Sequence, residues 1–245
     1  MFSPAMLPDA CLPPRSAASL KPPRFPILTF NDRQLSLSSG SVFNLKWLMP
    51  GESLVSILWK FACANALPGH VLVHLMSPDV DPSEGVAPVS DGIDLLRLCR
   101  ILPLPVNVLR ISLLDATLPG RYLSVFRFCR LCTAHGYHSV LHQLEGEDRC
   151  PAHLQSLETR CSHCHGETPY VVNSSVIEAP FRCVWCRSHF SYGHLSLLCT
   201  TPAMRRQDRI AIRRRLLLCS GNHINDTVSK VHHLSAVETG ESPGC

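Results

Sequence analysis

In the stretch "PGESLVSILWKFACANALPG", residues 50–69, Leu54, Ile57, Leu58, Phe61 and Ala62 recur at three- and four-residue spacing, one face of a helix. Glu52 stands where a helix start favours negative charge, and Pro68-Gly69 closes the element, which predicts about four turns. Further on, "DGIDLLRLCRILPLPVNVLRISLLDATLPG" predicts two more helices, with Leu95, Leu98, Cys99 and Leu102 on one face of the first. Pro105 cannot continue an earlier helix but suits the first position of a new one, Val106 to Leu114. Two short helices across a tight turn are read as a DNA-binding helix-turn-helix or as an ordinary packed hairpin. For the first reading, only Arg110, Asn107 and Ser112 offer polar groups to base edges.

Elsewhere the periodicity fades. Residues 1–44 hold seven prolines and many serines with no sustained period, the pattern of a flexible leader. After Arg121 the chain is rich in loop-forming residues. The expected organisation is a leader (1–44), a helical region (45–128), a cysteine-rich region (129–199), and a basic helix with a flexible tail (200–245).

Composition sharpens this picture at two points. Of 245 residues, 45% are apolar, enough for a real core. No stretch reaches the roughly 18 to 20 uncharged apolar residues of a membrane span, and the first residues lack a secretion-signal pattern. A cytoplasmic protein with no membrane partner is expected. Thirteen cysteines, an odd count without an export signal, argue for metal ligation over disulfides. Cys11, Cys63, Cys99, Cys219 and Cys245 are scattered singly and read as small hydrophobes or free thiols.

The other eight fall between 129 and 199, and seven of them, Cys199 being the exception, form four spaced pairs with one histidine. Cys129 and Cys132 are followed by Cys150 and His153, then by Cys161 and Cys164, then by Cys183 and Cys186. A two-residue spacer lets a tight turn aim both side chains at one ion, and two such knuckles close a tetrahedral zinc site. Spacers of seventeen residues (Cys132 to Cys150) and eighteen (Cys164 to Cys183) suit the pairing of consecutive knuckles in the manner of a zinc ribbon. A crossed pairing, first knuckle with third and second with fourth, stays open. Two full tetrads leave no coordination position for water or substrate, so two structural Zn²⁺ ions are expected. His135, His138, His142, His163, His165, His189 and His194 are left over and read as surface histidines or as neighbours of the ligands. His163 and His165 flank Cys164 and stand as substitutes should the register differ.

No phosphate-binding glycine loop, His-Glu-x-x-His or Gly-x-Ser-x-Gly motif occurs, and Asp79, Asp81, Glu84, Asp91 and Asp94 read as solvated. The expectation is a protein that is not an enzyme. A metal-dependent enzyme would need an open coordination position.

Charge is uneven along the chain. The formal net charge is +4, yet residues 200–220 alone hold six arginines against one aspartate. "AMRRQDRIAIRRRLLLC", residues 203–219, reads as a helix with Arg205, Arg209 and Arg213 in an i, i+4 row, Arg206 beside them, and Met204, Ala211 and Leu218 opposite. Such a face suits a phosphate backbone or an acidic protein surface; the plain alternative is a solvated helix face.

The "PGESLVSILWKFACANAL" segment, followed by "CRLCTAHGYHSVLHQLEGEDRCPAHLQSLETRCSHC", resembles the TniQ family, which includes the TnsD target selectors of transposons. The resemblance runs from about Trp47 to Cys186. It implies an accessory protein of DNA transposition that selects or is recruited to target DNA and contacts the transposon's ATPase regulator or, in some systems, a CRISPR surveillance complex. A homodimer is left open. Cys129, Cys132, Cys150 and His153 match the family's first zinc motif and Cys161, Cys164, Cys183 and Cys186 its second; Pro50, Glu52, Ser53 and Leu54 match an architectural opening. Family members often run considerably longer, and the helix-turn-helix here is apolar, which favours recruitment over base reading. The fold expected is mostly α with small zinc-ribbon-like β elements: an N-terminal helix-turn-helix region, then two structural zinc-binding modules. A pure protein-interaction adaptor without DNA binding is the second functional reading.

Overall fold

Helix α1 (Leu54–Asn65) is buried along most of its length. Ser53 caps it by accepting a hydrogen bond from the Ser56 amide, and Ala66, at φ 51°, ends it in the left-handed conformation. The helix is about three turns long, one fewer than the pattern suggested, because the left-handed Ala66 stops it before Pro68-Gly69 is reached. Every residue of the predicted face is buried, and Val55 and Trp59 are buried as well. The computed structural model describes residues 41, 43, 45–102, 104–114, 122–191 and 204–219. Most of the expected leader, the tail beyond residue 219 and His194 lie outside the described residues.

Pro68-Gly69 ends no structure; it opens a second helix, α2 (Gly69–Met76), with Pro68 at the cap position. The sequence pattern misses α2 because Val71, Leu72, Val73, Leu75 and Met76 are all buried, which leaves only His70 and His74 on the polar side of a helix of eight residues, too few to reveal a period. Helices α3 (Leu95–Ile101) and α4 (Val106–Ser112) follow and pack on each other. Asp94 caps α3 through the Arg97 amide at 3.0 Å. Asp79, Asp81, Glu84, Asp91 and Asp94 are all exposed.

Two short helices, α5 (Arg130–Ala134) and α6 (Ser174–Ile177), interrupt the cysteine-rich region, and a last helix, α7, spans residues 206–219. Among the described residues the β content is a set of isolated bridges and no longer strand. The protein is therefore mostly helical. No described helix is long and apolar enough to cross a membrane.

One apolar cluster joins the helices to the cysteine-rich region. Trp59 of α1 lies 4.7 Å from Phe181 and 5.6 Å from Phe126, ring centre to ring centre, and Phe190 lies 4.3 Å from Phe128. The Trp59 indole N–H donates to the Val176 carbonyl of α6 at 2.6 Å. Cys161 and Cys183 belong to this same cluster, so the second half of the cysteine-rich region is built into the helical core.

The Pro50-to-Leu54 opening docks on Tyr137–Val140. The Ser53 amide donates to the His138 carbonyl at 2.8 Å, Val140 donates to Gly51 at 2.9 Å, and the Tyr137 hydroxyl donates to the Pro50 carbonyl at 2.7 Å. Glu52, 3% exposed, accepts from the Met49 amide and the Ser56 hydroxyl and pairs with Lys60. His138 is not a surface histidine. It is fully buried, with Nδ1 2.7 Å from the Ser53 hydroxyl and Nε2 2.7 Å from the Arg127 carbonyl. Since only a protonated Nε2 can donate to a carbonyl, the Ser53 hydroxyl donates to Nδ1. A His138→Ala substitution orphans both partners and opens a cavity, so it is expected to cost about 2 to 4 kcal/mol. Urea unfolding of variant and parent measures it.

Candidate metal centres

Three of the four ligand pairs are the tips of near-identical tight hairpins. The bridges Arg149↔Ser156, Arg160↔Glu167 and Arg182↔His189 flank them. In each, the first ligand's amide donates to a carbonyl across the hairpin: Cys150 to Gln155 (2.8 Å), Cys161 to Gly166 (3.0 Å) and Cys183 to Ser188 (2.9 Å). The residue after the second ligand is left-handed every time: Leu154 at φ 55°, His165 at φ 59° and Arg187 at φ 61°. That turn is what makes the two-residue spacer converge. The remaining pair is different, with Cys129 at the start of α5 and Cys132 within it.

The hairpins bring the ligands into two groups, Cys129, Cys132, Cys150 and His153, and Cys161, Cys164, Cys183 and Cys186, each with its ligand atoms within 4.8 Å of one another. Consecutive pairs meet; the crossed arrangement does not occur. In the first group Cys132 Sγ lies 3.5 Å from Cys150 Sγ, and His153 Nδ1 lies 3.3 to 3.7 Å from the three sulfurs. In the second, Cys161 to Cys186 and Cys164 to Cys183 are both 3.5 Å. Tetrahedral bonds of about 2.3 Å to sulfur and about 2.0 Å to nitrogen put ligand atoms roughly 3.5 to 3.8 Å apart, so the residues fit such an ion. All these cysteines are free thiols.

Crowding four such atoms sets up a charge problem that a cation resolves. Hydrogen bonds from Cys132 and Cys150 hold the Cys129 thiol far below its usual range, while Cys129 and Cys150 push Cys132 well above it. The same thiolates, Cys129 first, raise His153 to about 10. A divalent ion takes all four in deprotonated form and removes the competition for protons.

The two groups differ in their surroundings. The second abuts the main core on one side and reaches solvent on the other, where Cys164 is exposed. Trp185, 68% exposed, covers its rim: the indole N–H donates to the Glu167 carbonyl at 2.8 Å and the ring rests where a Cβ on Gly166 would come within 2.8 Å. His163 and His165 are exposed and outside the ligand set.

The first group sits in a smaller cluster with Tyr137, Leu141, Met204 and Ile212, so α7 is docked upon it. Leu216 of α7 also lies where a Cβ on Gly51 would come within 2.5 Å, and Arg215 pairs with Glu147, Nε to Oε1 2.5 Å. The buried row is Met204, just before α7, with Asp208 and Ile212 within it. Leu218, expected opposite the arginines, is instead 59% exposed, because the docked face passes through Leu216. Arg205, Arg206, Arg209 and Arg213 are all exposed. Arg110 and Asn107 on α4 are exposed too, but Ser112 is buried with its hydroxyl donating to the Leu109 carbonyl, so it cannot reach a base.

His142, read from sequence as a surface or ligand-supporting histidine, is 1% exposed, and neither ring nitrogen has a hydrogen-bond partner among the described residues. Burial lowers its pKa to about 4. An unfolded histidine takes up its proton near 6.5, so between these values the unfolded state binds the extra proton and stability is lost as pH falls, by up to about 1.4 kcal/mol per unit. His142→Leu is expected to match or exceed the parent's stability at pH 7.5 and to gain on it by roughly 2 to 3 kcal/mol near pH 4.5. Denaturant midpoints at the two pH values read the difference.

Fold and sites together define a mostly helical protein with two four-ligand clusters, each able to hold one metal ion. No known protein family's sequence profile matches the chain, and no curated protein matches it significantly.

Proposed function

We propose that the protein is a zinc-stabilised, non-catalytic adaptor of DNA transposition, related in role to the TniQ family it resembles, that helps bring a transposition complex to target DNA. Zinc is the ion whose preference for thiolate and imidazole in closed tetrahedra suits both clusters, and a Cys₃His and a Cys₄ set leave no position for a reacting water. The observation that carries the DNA contact is the exposed row of Arg205, Arg206, Arg209 and Arg213 on a helix whose other face is anchored to the first cluster. A row from 205 to 213 is about 12 Å long and suits contact with successive phosphates, without base selection. Retention of duplex DNA at two salt concentrations tests it, with steep loss at higher salt expected.

A second reading, recruitment through a protein partner such as an ATPase regulator or a CRISPR complex, is favoured by the α3–α4 hairpin. Leu96 is 67% exposed, Ile111 56% and Val106 38%, an apolar surface suited to protein contact and poor for bases. Capture of such a partner from nuclease-treated extract, with no shift of DNA by the isolated protein, selects this reading.

A further inference from the structure

Residues 204–219, α7 and the two residues before it, carry one acidic residue among six arginines, and that residue is turned inward. Asp208 is 7% exposed, between Met204 and Ile212 on the buried face. A carboxylate in such a place is costly without a partner. Its partner is His153, whose Nε2 lies 3.9 Å from Asp208 Oδ2. The other ring nitrogen, Nδ1, is the one that faces the three sulfurs of the first cluster.

The tautomer follows from this arrangement. An ion taken by Nδ1 leaves the ring proton on Nε2, the nitrogen nearer Asp208, and at 3.9 Å, an ion-pair distance rather than a hydrogen bond, the carboxylate steadies the ring and its charge electrostatically. We propose that Asp208 is a positioning residue for the first metal site, and that filling this site fastens α7, so that the arginine row is held in place by the metal. The inference rests on the metal reading of the first cluster and is independent of DNA binding. Arg215 with Glu147, and Leu216 over Gly51, fix the far end of the helix, whereas Asp208 fixes the end that carries Arg205, Arg206 and Arg209.

The test uses the full chain and zinc alone. In competition against a chromophoric chelator, Asp208→Ala is expected to weaken one of two sites about 10- to 100-fold and leave the other unchanged, with Asp208→Asn, which keeps the shape and one acceptor, falling between. Hydrogen exchange read on the peptide covering residues 204–219 should show protection that drops when the site that Asp208→Ala weakens is emptied, and that is reduced in Asp208→Ala even with zinc present. Unchanged affinity at both sites in both variants, or equal protection with the first site empty, overturns the proposal. The isosteric Asn variant keeps the test decisive should the Ala variant fold poorly. A chain that binds no zinc defeats the metal reading as well; two bound ions insensitive to Asp208 defeat this inference alone.

Discussion

Cys183→Ser is expected to abolish cooperative unfolding of the protein, a larger effect than any substitution of an ordinary core residue. Cys183 is fully buried and belongs to the cluster that contains Trp59, Phe181 and Phe190. Losing one of four ligands empties the second site, whose ion then no longer ties the Cys161 and Cys183 hairpins together. Structural zinc contributes about 10 to 16 kcal/mol in small zinc-dependent peptides, against a total stability of about 5 to 15 kcal/mol for a typical domain. The two figures are comparable, so losing most of the first leaves little or no net stability. Thermal unfolding followed by circular dichroism should show no sharp transition, with one zinc lost per chain. Cys99→Ser, at a half-buried thiol outside both clusters, should shift the transition by about 1 kcal/mol or less. A sharp transition retained in Cys183→Ser would mean that the hairpins hold without the ion.

Replacing Arg205, Arg206, Arg209 and Arg213 together by Gln is expected to remove most duplex DNA affinity without harming the fold. All four side chains are exposed, and the residues that dock α7 are others: Met204, Asp208, Ile212, Arg215 and Leu216. Each phosphate contact contributes about 0.9 to the slope of log affinity against log salt, so four lost contacts flatten that slope by roughly 3.6. The loss should be the same for any sequence, because phosphates carry no sequence information. Filter binding from 50 to 200 mM salt on two unrelated duplexes reads both features. An unchanged slope removes the helix from the account and moves the weight to the apolar α3–α4 surface.

Sequence carried the local chemistry further than the tertiary arrangement. Helix α1 was legible because a buried row at helical spacing leaves a clear period, and its cap, Ser53, lies one residue from the expected start. Helix α2 was not, since burial on all but the narrow His70–His74 side leaves almost no period in eight residues. The knuckles were legible because the spacer is fixed by the turn that aims two ligands at one point; the left-handed residues at 154, 165 and 187 are the physical form of that constraint, although none is glycine. Pairing of knuckles stayed open in the sequence because either arrangement satisfies the spacer, and only the packing of α5 and the hairpins decides between them.

Other features escaped because their causes are long-range. Burial of His138 and His142 depends on the opening at Pro50–Leu54 docking over Tyr137–Val140, a contact between segments more than 80 residues apart. Asp208 looked like one acid diluted among arginines until the helix was placed on the first cluster. A cue was present all the same: a lone acidic residue four positions from Met204 and four from Ile212 shares their face.

The central claim is that two closed tetrahedral zinc sites hold this protein together. X-ray absorption at the zinc edge, with metal content measured on the same sample of the purified full chain, tests it most directly. Two zinc ions per chain are expected, whose combined ligands are seven sulfurs and one nitrogen, with no oxygen. Fewer than two ions, or an oxygen in the first shell, would contradict it: the former would mean that a cluster does not bind, the latter that a site is open and that chemistry at the metal has to be considered.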